Sequence, residues 1–196
     1  AIQDIAAWYR STLTIPVVGI SGSVGKTSTK EMIASILGQH FHVLKTEGNF
    51  NNEIGLPLTI FRIREEHEAA VLEMGISDYG EMTRLARMAK PTVCVLTNIG
   101  LCHLENLKTR DGILKAKTEM FDQAMPGAQI IVNGDDDKLI TLKNRTPKPT
   151  FFGLDPSLDL YAENVENLGL GGSRCDFVTK AGRFTIWSTM RWQEPP

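Results

Sequence analysis

The feature that most constrains the fold is a glycine-rich stretch at residues 19–28, Gly-Ile-Ser-Gly-Ser-Val-Gly-Lys-Thr-Ser. It joins a short apolar run, residues 16–20, to a segment predicted to be a helix that ends at Gly38. Glycines allow backbone N–H groups to surround phosphate oxygens, and the N-terminus of the following helix carries a partial positive charge. The strand, loop and helix together predict a binding site for a nucleoside triphosphate.

The residues predicted to contact the nucleotide are Gly22, Ser23, Val24, Gly25, Lys26, Thr27 and Ser28. Lys26 would reach the β- and γ-phosphates, and the Thr27 hydroxyl would bind Mg²⁺. The usual spacing, Gly-x-x-x-x-Gly-Lys-Ser/Thr, would put its first glycine where this chain has Ile20, so the match is to a variant. The alternative is a glycine-rich turn that binds nothing, but such a turn needs no lysine followed by a hydroxyl residue.

Charge and hydropathy exclude several classes of partner. The chain of 196 residues has 21 basic and 23 acidic residues, a net charge of −2, which gives no basic field for nucleic acid. No apolar run is long enough to span a membrane, and the first residues lack the apolar centre of a signal peptide. We therefore expect a cytoplasmic protein that binds neither nucleic acid nor a membrane.

Strands and helices are predicted to alternate along most of the chain. Strands are predicted at 42–46, 69–75, 92–97 and 128–133, and 69–75 is a continuous apolar run broken only by Glu73, which is typical of a strand buried on both faces. Amphipathic segments at 80–90 and 111–124 predict helices between them. This alternation predicts an α/β fold with a doubly wound, mostly parallel sheet that contains the phosphate loop. Beyond Pro147, short strands joined by turns predict an antiparallel β extension of the same domain.

In two amphipathic helices the apolar residues predict which face is buried. In the helix at residues 1–13 the predicted face consists of Ile2, Ile5, Ala6 and Tyr9. In the helix after the phosphate loop it consists of Met32, Ile33, Ile36 and Leu37.

Two side chains outside the loop are expected at the same edge of the sheet, because ligands bind outside the carboxyl ends of parallel strands. Glu73 ends an apolar strand, where it either completes the Mg²⁺ shell begun by Thr27 or caps the next turn. His103 follows the strand that ends at Thr97. It is either a metal ligand or phosphate contact, or an exposed loop histidine without a role.

Lys117 lies at the centre of an apolar stripe on the helix at 111–124, four residues after Ile113 and three before Met120. A lysine that faces a core must snorkel to solvent, pair with another group, or lose its proton. A neutral lysine is reactive, so this position indicates modification or an unusual electrostatic role, with snorkelling as the alternative.

Two polar clusters indicate a binding role less strongly. Asn49, Asn51 and Asn52 are common turn residues, although amides beside a phosphate site can also hold a substrate carboxylate or a Mg²⁺-bound water. The acidic run at 135–137 is expected to cap a helix rather than to bind metal.

Taken together, these motifs resemble the central domain of the Mur ligases over about residues 15–186. The resemblance is carried by Gly19-x-x-Gly22-x-x-Gly25-Lys26-Thr27, Thr46-x-Gly48-Asn49-x-Asn51-Asn52-x-Ile54-Gly55, Glu73-Met74-Gly75, Thr97-Asn98, His103-Leu104-Glu105 and Lys115-Ala116-Lys117-x-x-Met120-Phe121. The asparagine-rich loop is most similar to that of members that join UDP-N-acetylmuramoyl-tripeptide to D-alanyl-D-alanine.

The resemblance implies an ATP-dependent amide ligase of peptidoglycan precursor synthesis, in which the γ-phosphate converts a substrate carboxylate into an acyl phosphate. Lys26, the loop amides and Asn52 would then bind ATP. Thr27 and Glu73 would hold one Mg²⁺ ion.

The resemblance also implies a second Mg²⁺ ion, with His103 and Lys117 among its ligands. Lys117 matches a lysine that several relatives carry as a carbamate. Together with Lys26, these two residues are the predicted catalytic residues.

The family pattern further implies a domain organisation. We expect residues 1–14 to be a lead-in helix from a missing N-terminal domain, 15–190 to be the ATP-binding domain, and 191–196 to be an atypical tail, with the C-terminal ligase domain absent. Such a chain is expected to be a monomer and to be inactive alone. Another Mur ligase, a folylpolyglutamate-synthase-like ligase, a stand-alone nucleotide-binding module and a truncated product without function remain as alternatives.

Overall fold

In the computed structural model, which describes residues 1–189, nine strands form one sheet. In chain order they are β1 (Val17–Ser21), β2 (Val43–Lys45), β3 (Ala69–Glu73), β4 (Val93–Leu96), β5 (Gln129–Asn133), β6 (Thr150–Gly153), β7 (Leu160–Asn167), β8 (Ser173–Thr179) and β9 (Gly182–Ser188). The predicted tail at 191–196 lies outside the described residues.

The described helices precede or connect these strands. They are α1 (Ile2–Ser11), α2 (Lys26–Leu37), α3 (Gly55–Ile60), α4 (Glu81–Ala89), α5 (Leu104–Leu107) and α6 (Arg110–Asp122), with 3₁₀ helices at Leu139–Asn144 and Gly169–Gly171. None of the helices within residues 1–189 combines the length and the hydropathy that a membrane-spanning helix requires.

Across the sheet the strands are ordered β2-β3-β1-β4-β5-β6-β7-β8-β9. Every neighbouring pair from β2 to β7 is parallel, and β8 pairs antiparallel with both β7 and β9. The prediction of a mostly parallel α/β sheet with an antiparallel extension is therefore confirmed. The extension is shorter than expected, because β6 still pairs in parallel with β5.

The parallel part of the sheet is covered on both faces, which explains the apolar run in β3. All five residues of β3 are buried. On one face, residues of α1, α3, α4 and α6 form the larger core cluster. On the other face, Ala34 of α2 packs with Ile20, Val71 and Val95 of the central strands.

The predicted buried face of α2 is partly wrong. Met32 and Ile36 are 42% and 64% exposed, whereas Lys30 and Ala34 are buried. Together with the half-buried Ile33 and Leu37, the buried residues follow the i, i+3, i+4, i+7 pattern of one helix face. The error arose because the residue that completes this face is a lysine rather than an apolar residue.

The predicted face of α1 needs a similar correction. Ile2 and Ile5 are 42% and 55% exposed, and the fully or nearly fully buried residues are Ala6 and Arg10. The Arg10 Nε donates a hydrogen bond of 2.9 Å to the carbonyl oxygen of Ala89, at the end of α4. A charged side chain therefore satisfies helix-terminal carbonyl groups in the interior.

Candidate functional site

The phosphate loop lies between β1 and α2, where the strand order changes direction. From β1 the chain crosses first to β2 and β3 on one side of the sheet and later to β4 on the other. The carboxyl ends of β1 and β4 therefore border a crevice, the usual ligand site of an open parallel sheet. The loop after β1 and the loop after β4 meet at this crevice.

Two glycines allow the loop to take its shape. Gly25, the residue before α2, has φ +78°, and Gly22 has φ +151°. A Cβ atom on Gly22 would lie 1.9 Å from the Thr97 Oγ1 atom, so any side chain there would collide with the β4 exit. Glycine is required at Gly22 both by its backbone angle and by this close approach.

The residues after β4 hold the loop from its other side. The Thr97 hydroxyl donates a 2.6 Å hydrogen bond to the carbonyl oxygen of Val24. Asn98 Oδ1 accepts hydrogen bonds from the backbone N–H groups of Ser23 and Val24, at 3.0 and 2.9 Å. The backbone of the phosphate loop is thus fixed in place by β4, and this role of Asn98 was not predicted.

Lys26 is at the mouth of the loop. Its Nζ donates to the carbonyl oxygens of Gly22 and Ser23, at 3.0 and 3.3 Å. The N–H groups of the first residues of α2, Lys26, Thr27 and Ser28, have no partner within the helix and point along its axis toward the loop. The residues predicted from the glycine-rich stretch therefore converge on one end of α2, in a geometry suited to an anion.

Thr27 and Glu73 come together beside the loop. The Thr27 hydroxyl donates to Glu73 Oε2 at 3.0 Å, and Asn51 Nδ2 donates to Glu73 Oε1 at 2.9 Å. Glu73 is 2% exposed, and these contacts direct its carboxylate toward the loop rather than toward the next turn.

A hydroxyl and one carboxylate fit a Mg²⁺ ion bound next to phosphates, because such an ion takes few protein ligands and completes its shell with phosphate and water. Residues 1–189 contain no cluster of three or more histidine, cysteine or acidic side chains that would form a protein-only metal site. Thr27 and Glu73 are thus suited to a metal that arrives with a nucleotide.

Lys30 is the residue of this region that sequence reasoning missed. It is 1% exposed, and its Nζ donates a 2.7 Å hydrogen bond to the carbonyl oxygen of Thr46. The same Nζ lies 3.1 Å from Glu31 Oε1 and 3.9 Å from Glu73 Oε2. Its position on the buried face of α2, three residues after Thr27, was the available signal.

Lys117 faces the core, as its place in the apolar stripe predicted, and the snorkelling alternative is wrong because the residue is 1% exposed. Its Nζ donates to the carbonyl oxygen of Gly22 at 3.1 Å, so α6 reaches the phosphate loop from the face of the sheet opposite α2. Burial lowers the pKa of Lys117 to about 8; the nearby Cys102 opposes this shift, and the Lys26 ammonium adds to it.

His103 is exposed and has φ +53° at the start of α5. It borders a surface cavity of about 490 Å³ that Ser77 and Asn106 also line. The structure does not bring it into hydrogen-bonding contact with Glu73 or Lys117. Because an ammonium group is no metal ligand, these side chains do not by themselves form the predicted second Mg²⁺ site, which stays a prediction.

Asn52, predicted to bind ATP, makes hydrogen bonds to the backbone at the start of α3. Its Oδ1 accepts hydrogen bonds from the backbone N–H groups of Ile54 and Gly55, at 3.1 and 2.9 Å, and so caps the start of α3. Of the asparagine cluster, it is Asn51 that reaches Glu73. A nucleotide contact of Asn52 stays a prediction.

The acidic run caps a helix, as expected. Asp136 Oδ1 accepts from the backbone N–H groups of Lys138 and Leu139, at the start of the 3₁₀ helix, both at 2.9 Å. Its Oδ2 accepts from the N–H group of Ile99 at 2.8 Å, which ties the loop after β4 to the loop after β5.

Comparison with known families and proteins gives consistent matches. Residues 20–190 match the Mur ligase middle domain. The UDP-N-acetylmuramoyl-tripeptide–D-alanyl-D-alanine ligase of Bacillus subtilis (strain 168) is 46% identical over 139 residues, which are 71% of this chain and 30% of that protein. The enzyme of the same name from Synechocystis is 39% identical over 174 residues, 88% of this chain and 38% of that protein. The chain thus spans only about a third of these relatives.

Solved structures agree with these matches. A crystal structure of MurF from Acinetobacter baumannii superposes with a TM-score of 0.90 at 30% identity, covering 97% of this chain and 42% of that chain. MurF ligase from Thermotoga maritima in complex with ADP superposes with a TM-score of 0.85 at 32% identity, covering 97% of this chain and 44% of that chain. A mutant of L. casei FPGS, with a TM-score of 0.68 at 16% identity, shares the fold alone.

Proposed function

Since the chain belongs to the Mur ligase middle-domain family, we propose that it binds ATP and Mg²⁺ for a ligase that joins UDP-N-acetylmuramoyl-tripeptide to D-alanyl-D-alanine. The observation that carries this proposal is the pairing of Thr27 with Glu73 at 3.0 Å beside a phosphate loop that ends in Lys26. The names of the relatives from Bacillus subtilis and Synechocystis support the choice of substrates. The product would be a precursor of peptidoglycan.

ATP binding would use groups that already converge at the loop. The free N–H groups at the start of α2 would donate to phosphate oxygens, and the Lys26 ammonium would exchange its two loop carbonyl partners for the β- and γ-phosphates. Because Thr97 and Asn98 hold the loop backbone, these donors are oriented before the nucleotide arrives.

The γ-phosphate would pass to a substrate carboxylate with release of ADP, and the amine of D-alanyl-D-alanine would attack the resulting acyl phosphate with release of inorganic phosphate and a proton. Thr27 and Glu73 are the residues proposed to hold Mg²⁺. When bound, this ion reduces the repulsion between a carboxylate nucleophile and the triphosphate. The task of the chain in this step is to orient the triphosphate and to supply positive charge through Lys26.

We propose that Lys117 is modified to a carbamate. Its lowered pKa, about 8, increases the fraction of neutral amine near neutral pH, and the neutral amine is the form that adds CO₂. The modification would replace a buried cation with an anion next to the Gly22 carbonyl. A carbamate oxygen would give His103 a partner for a second Mg²⁺ ion.

Residues 1–14 are proposed to be a lead-in helix and residues 15–190 the ATP-binding domain of a cytoplasmic, monomeric enzyme. The two substrates would bind chiefly to parts of the relatives that this chain does not span, so the 196-residue chain would bind ATP without completing ligation.

A phosphate-release assay on the intact gene product tests the proposal. With Mg²⁺-ATP present, we expect release of inorganic phosphate only when UDP-N-acetylmuramoyl-tripeptide and D-alanyl-D-alanine are both added. Omission of either substrate is the control. Nucleotide binding without any dependence of phosphate release on the two substrates would contradict the ligase and favour a stand-alone nucleotide-binding module.

A further inference from the structure

Lys30 is costly to bury and has no role in the function proposed above. Its side chain is 1% exposed, although a methionine would fill a similar volume without removing a charge from water. It lies three residues after Thr27, on the helix face that packs against the sheet. This placement brings the ammonium group to the carboxyl ends of β2 and β3.

The contacts of Lys30 connect it to Glu73 in two ways. Its Nζ lies 3.9 Å from Glu73 Oε2. It also donates to the carbonyl oxygen of Thr46, and the Thr46 Oγ1 atom in turn accepts a 3.0 Å hydrogen bond from the backbone N–H of Glu73. Lys30 therefore acts on the carboxylate through its charge and on the backbone through Thr46.

The distance of 3.9 Å matters for metal binding. It is an ion-pair distance and too long for a hydrogen bond, because Lys30 directs its hydrogen bonds to Thr46 and Glu31. The ammonium group thus compensates the charge of the buried Glu73 carboxylate without occupying the oxygen lone pairs that a metal would use. The Thr27 hydroxyl is the donor at Oε2 itself.

We propose that Lys30 is a positioning residue that holds the Glu73 carboxylate ready for Mg²⁺ and so determines how strongly Mg²⁺ enhances nucleotide binding. This inference rests on the proposed function, because it assumes that Glu73 holds the metal that accompanies ATP. Phosphate contacts of Lys26 and the loop do not involve Lys30, so metal-free ATP binding is expected to be independent of it.

The test is calorimetric titration of the 196-residue chain with ATP, once with MgCl₂ and once with EDTA. In Lys30→Met we expect the enhancement by Mg²⁺ to fall about tenfold, equivalent to about 1.4 kcal/mol, with ATP affinity in EDTA essentially unchanged. Lys45→Met is the matched control, because Lys45 also pairs with Glu31 but contacts neither Thr46 nor Glu73 through its side chain. It should retain the full enhancement.

Glu73→Gln separates this inference from the proposed function. We expect it to abolish the enhancement, and Lys30→Met should cause no further loss when added to it. If Glu73→Gln left the enhancement intact, the metal assignment of the proposed function would be wrong. If Glu73→Gln removed it while folded Lys30→Met kept it, or if Lys30→Met weakened ATP binding equally with and without Mg²⁺, the role of Lys30 alone would be refuted.

Lys30→Gln replaces Lys30→Met in the titration if circular dichroism shows that Lys30→Met does not fold. A glutamine amide can still donate to the Thr46 carbonyl oxygen but carries no charge. We expect it to fold and to lose most of the enhancement. A folded Lys30→Gln chain with the full enhancement would overturn the proposal.

Discussion

At the scale of single residues, the candidate site concentrates positive charge. The carbonyl oxygen of Gly22 accepts hydrogen bonds from Lys26 and from Lys117, whereas the buried Lys30 is compensated by Glu31 and Glu73. Two buried lysines cost solvation energy that the fold must offset elsewhere. The convergence of Lys26 and Lys117 on one carbonyl oxygen is explained most simply by a multiply charged anion as the partner of the loop.

The lowered pKa of Lys117 predicts a pH-dependent stability. In the unfolded chain the amine keeps an ordinary pKa of 10.5, whereas burial lowers it to about 8 in the folded chain. Between these values the unfolded state binds more protons, so the free energy of unfolding should rise with pH. The cost of the buried charge is fully present below about pH 8 and disappears as pH rises toward 10.5.

Urea unfolding of wild type and Lys117→Met at about pH 7 and about pH 10 measures this effect. We expect wild type to gain about 1–3 kcal/mol relative to the variant over this interval. Lys115→Met, which changes an exposed lysine of the same helix, should show no such gain. A difference between wild type and Lys117→Met that stays constant with pH would refute the assigned pKa shift.

At the scale of elements, the central feature is the contact between the loop after β1 and the exit of β4. Gly22 has φ +151° and leaves no space for a Cβ atom, which would lie 1.9 Å from Thr97 Oγ1. The loop can therefore keep its shape only while this contact is unobstructed. Gly22 is therefore a tightly packed position between β1 and the exit of β4 rather than a flexible link.

Gly22→Ala should therefore separate the loop from β4. We expect a loss of about 2–4 kcal/mol in the free energy of unfolding, from backbone strain and the collision, together with weaker ATP binding. Gly171→Ala is a suitable control, because its Cβ would meet Leu168 at an ordinary 3.5 Å. Equal stability of the two variants in thermal unfolding would be inconsistent with a tight loop.

The sequence was most informative about the parallel strands. A run such as 69–75 is apolar without alternation, and β3 (Ala69–Glu73) is buried throughout. The buried faces of the helices were harder to predict, because α1 and α2 each bury a basic residue and expose apolar ones. Which residues of a helix are buried depends on the hydrogen-bond and packing partners in the tertiary structure. The local sequence pattern does not contain that information.

The same limit applies to the site. Thr27 and Glu73 were expected to meet because both follow strands at one edge of the sheet, and they do. Asn98 and Lys30 were missed, since their contacts join elements far apart in the chain. His103 follows β4, as expected, but it lies exposed at the start of α5.

At the scale of the whole molecule, the site is built from both faces of the sheet. Helix α2 brings Lys26 and Lys30 from one face, and α6 brings Lys117 from the other. Lys26 and Lys117 meet at the carbonyl oxygen of Gly22. The loop is thus contacted by packed elements from both faces of the sheet, which favours a binding geometry formed before the ligand arrives.

The most direct test of the account is calorimetric titration of the chain with ATP in the presence of Mg²⁺, comparing wild type with Lys26→Ala. Lys115→Ala is the control for loss of a lysine at an exposed position. Because Lys26 is expected to reach the β- and γ-phosphates, we predict saturable binding to wild type and to the control, and no measurable binding to Lys26→Ala. Wild-type affinity in a folded Lys26→Ala chain would contradict the assignment of this loop as the ATP site.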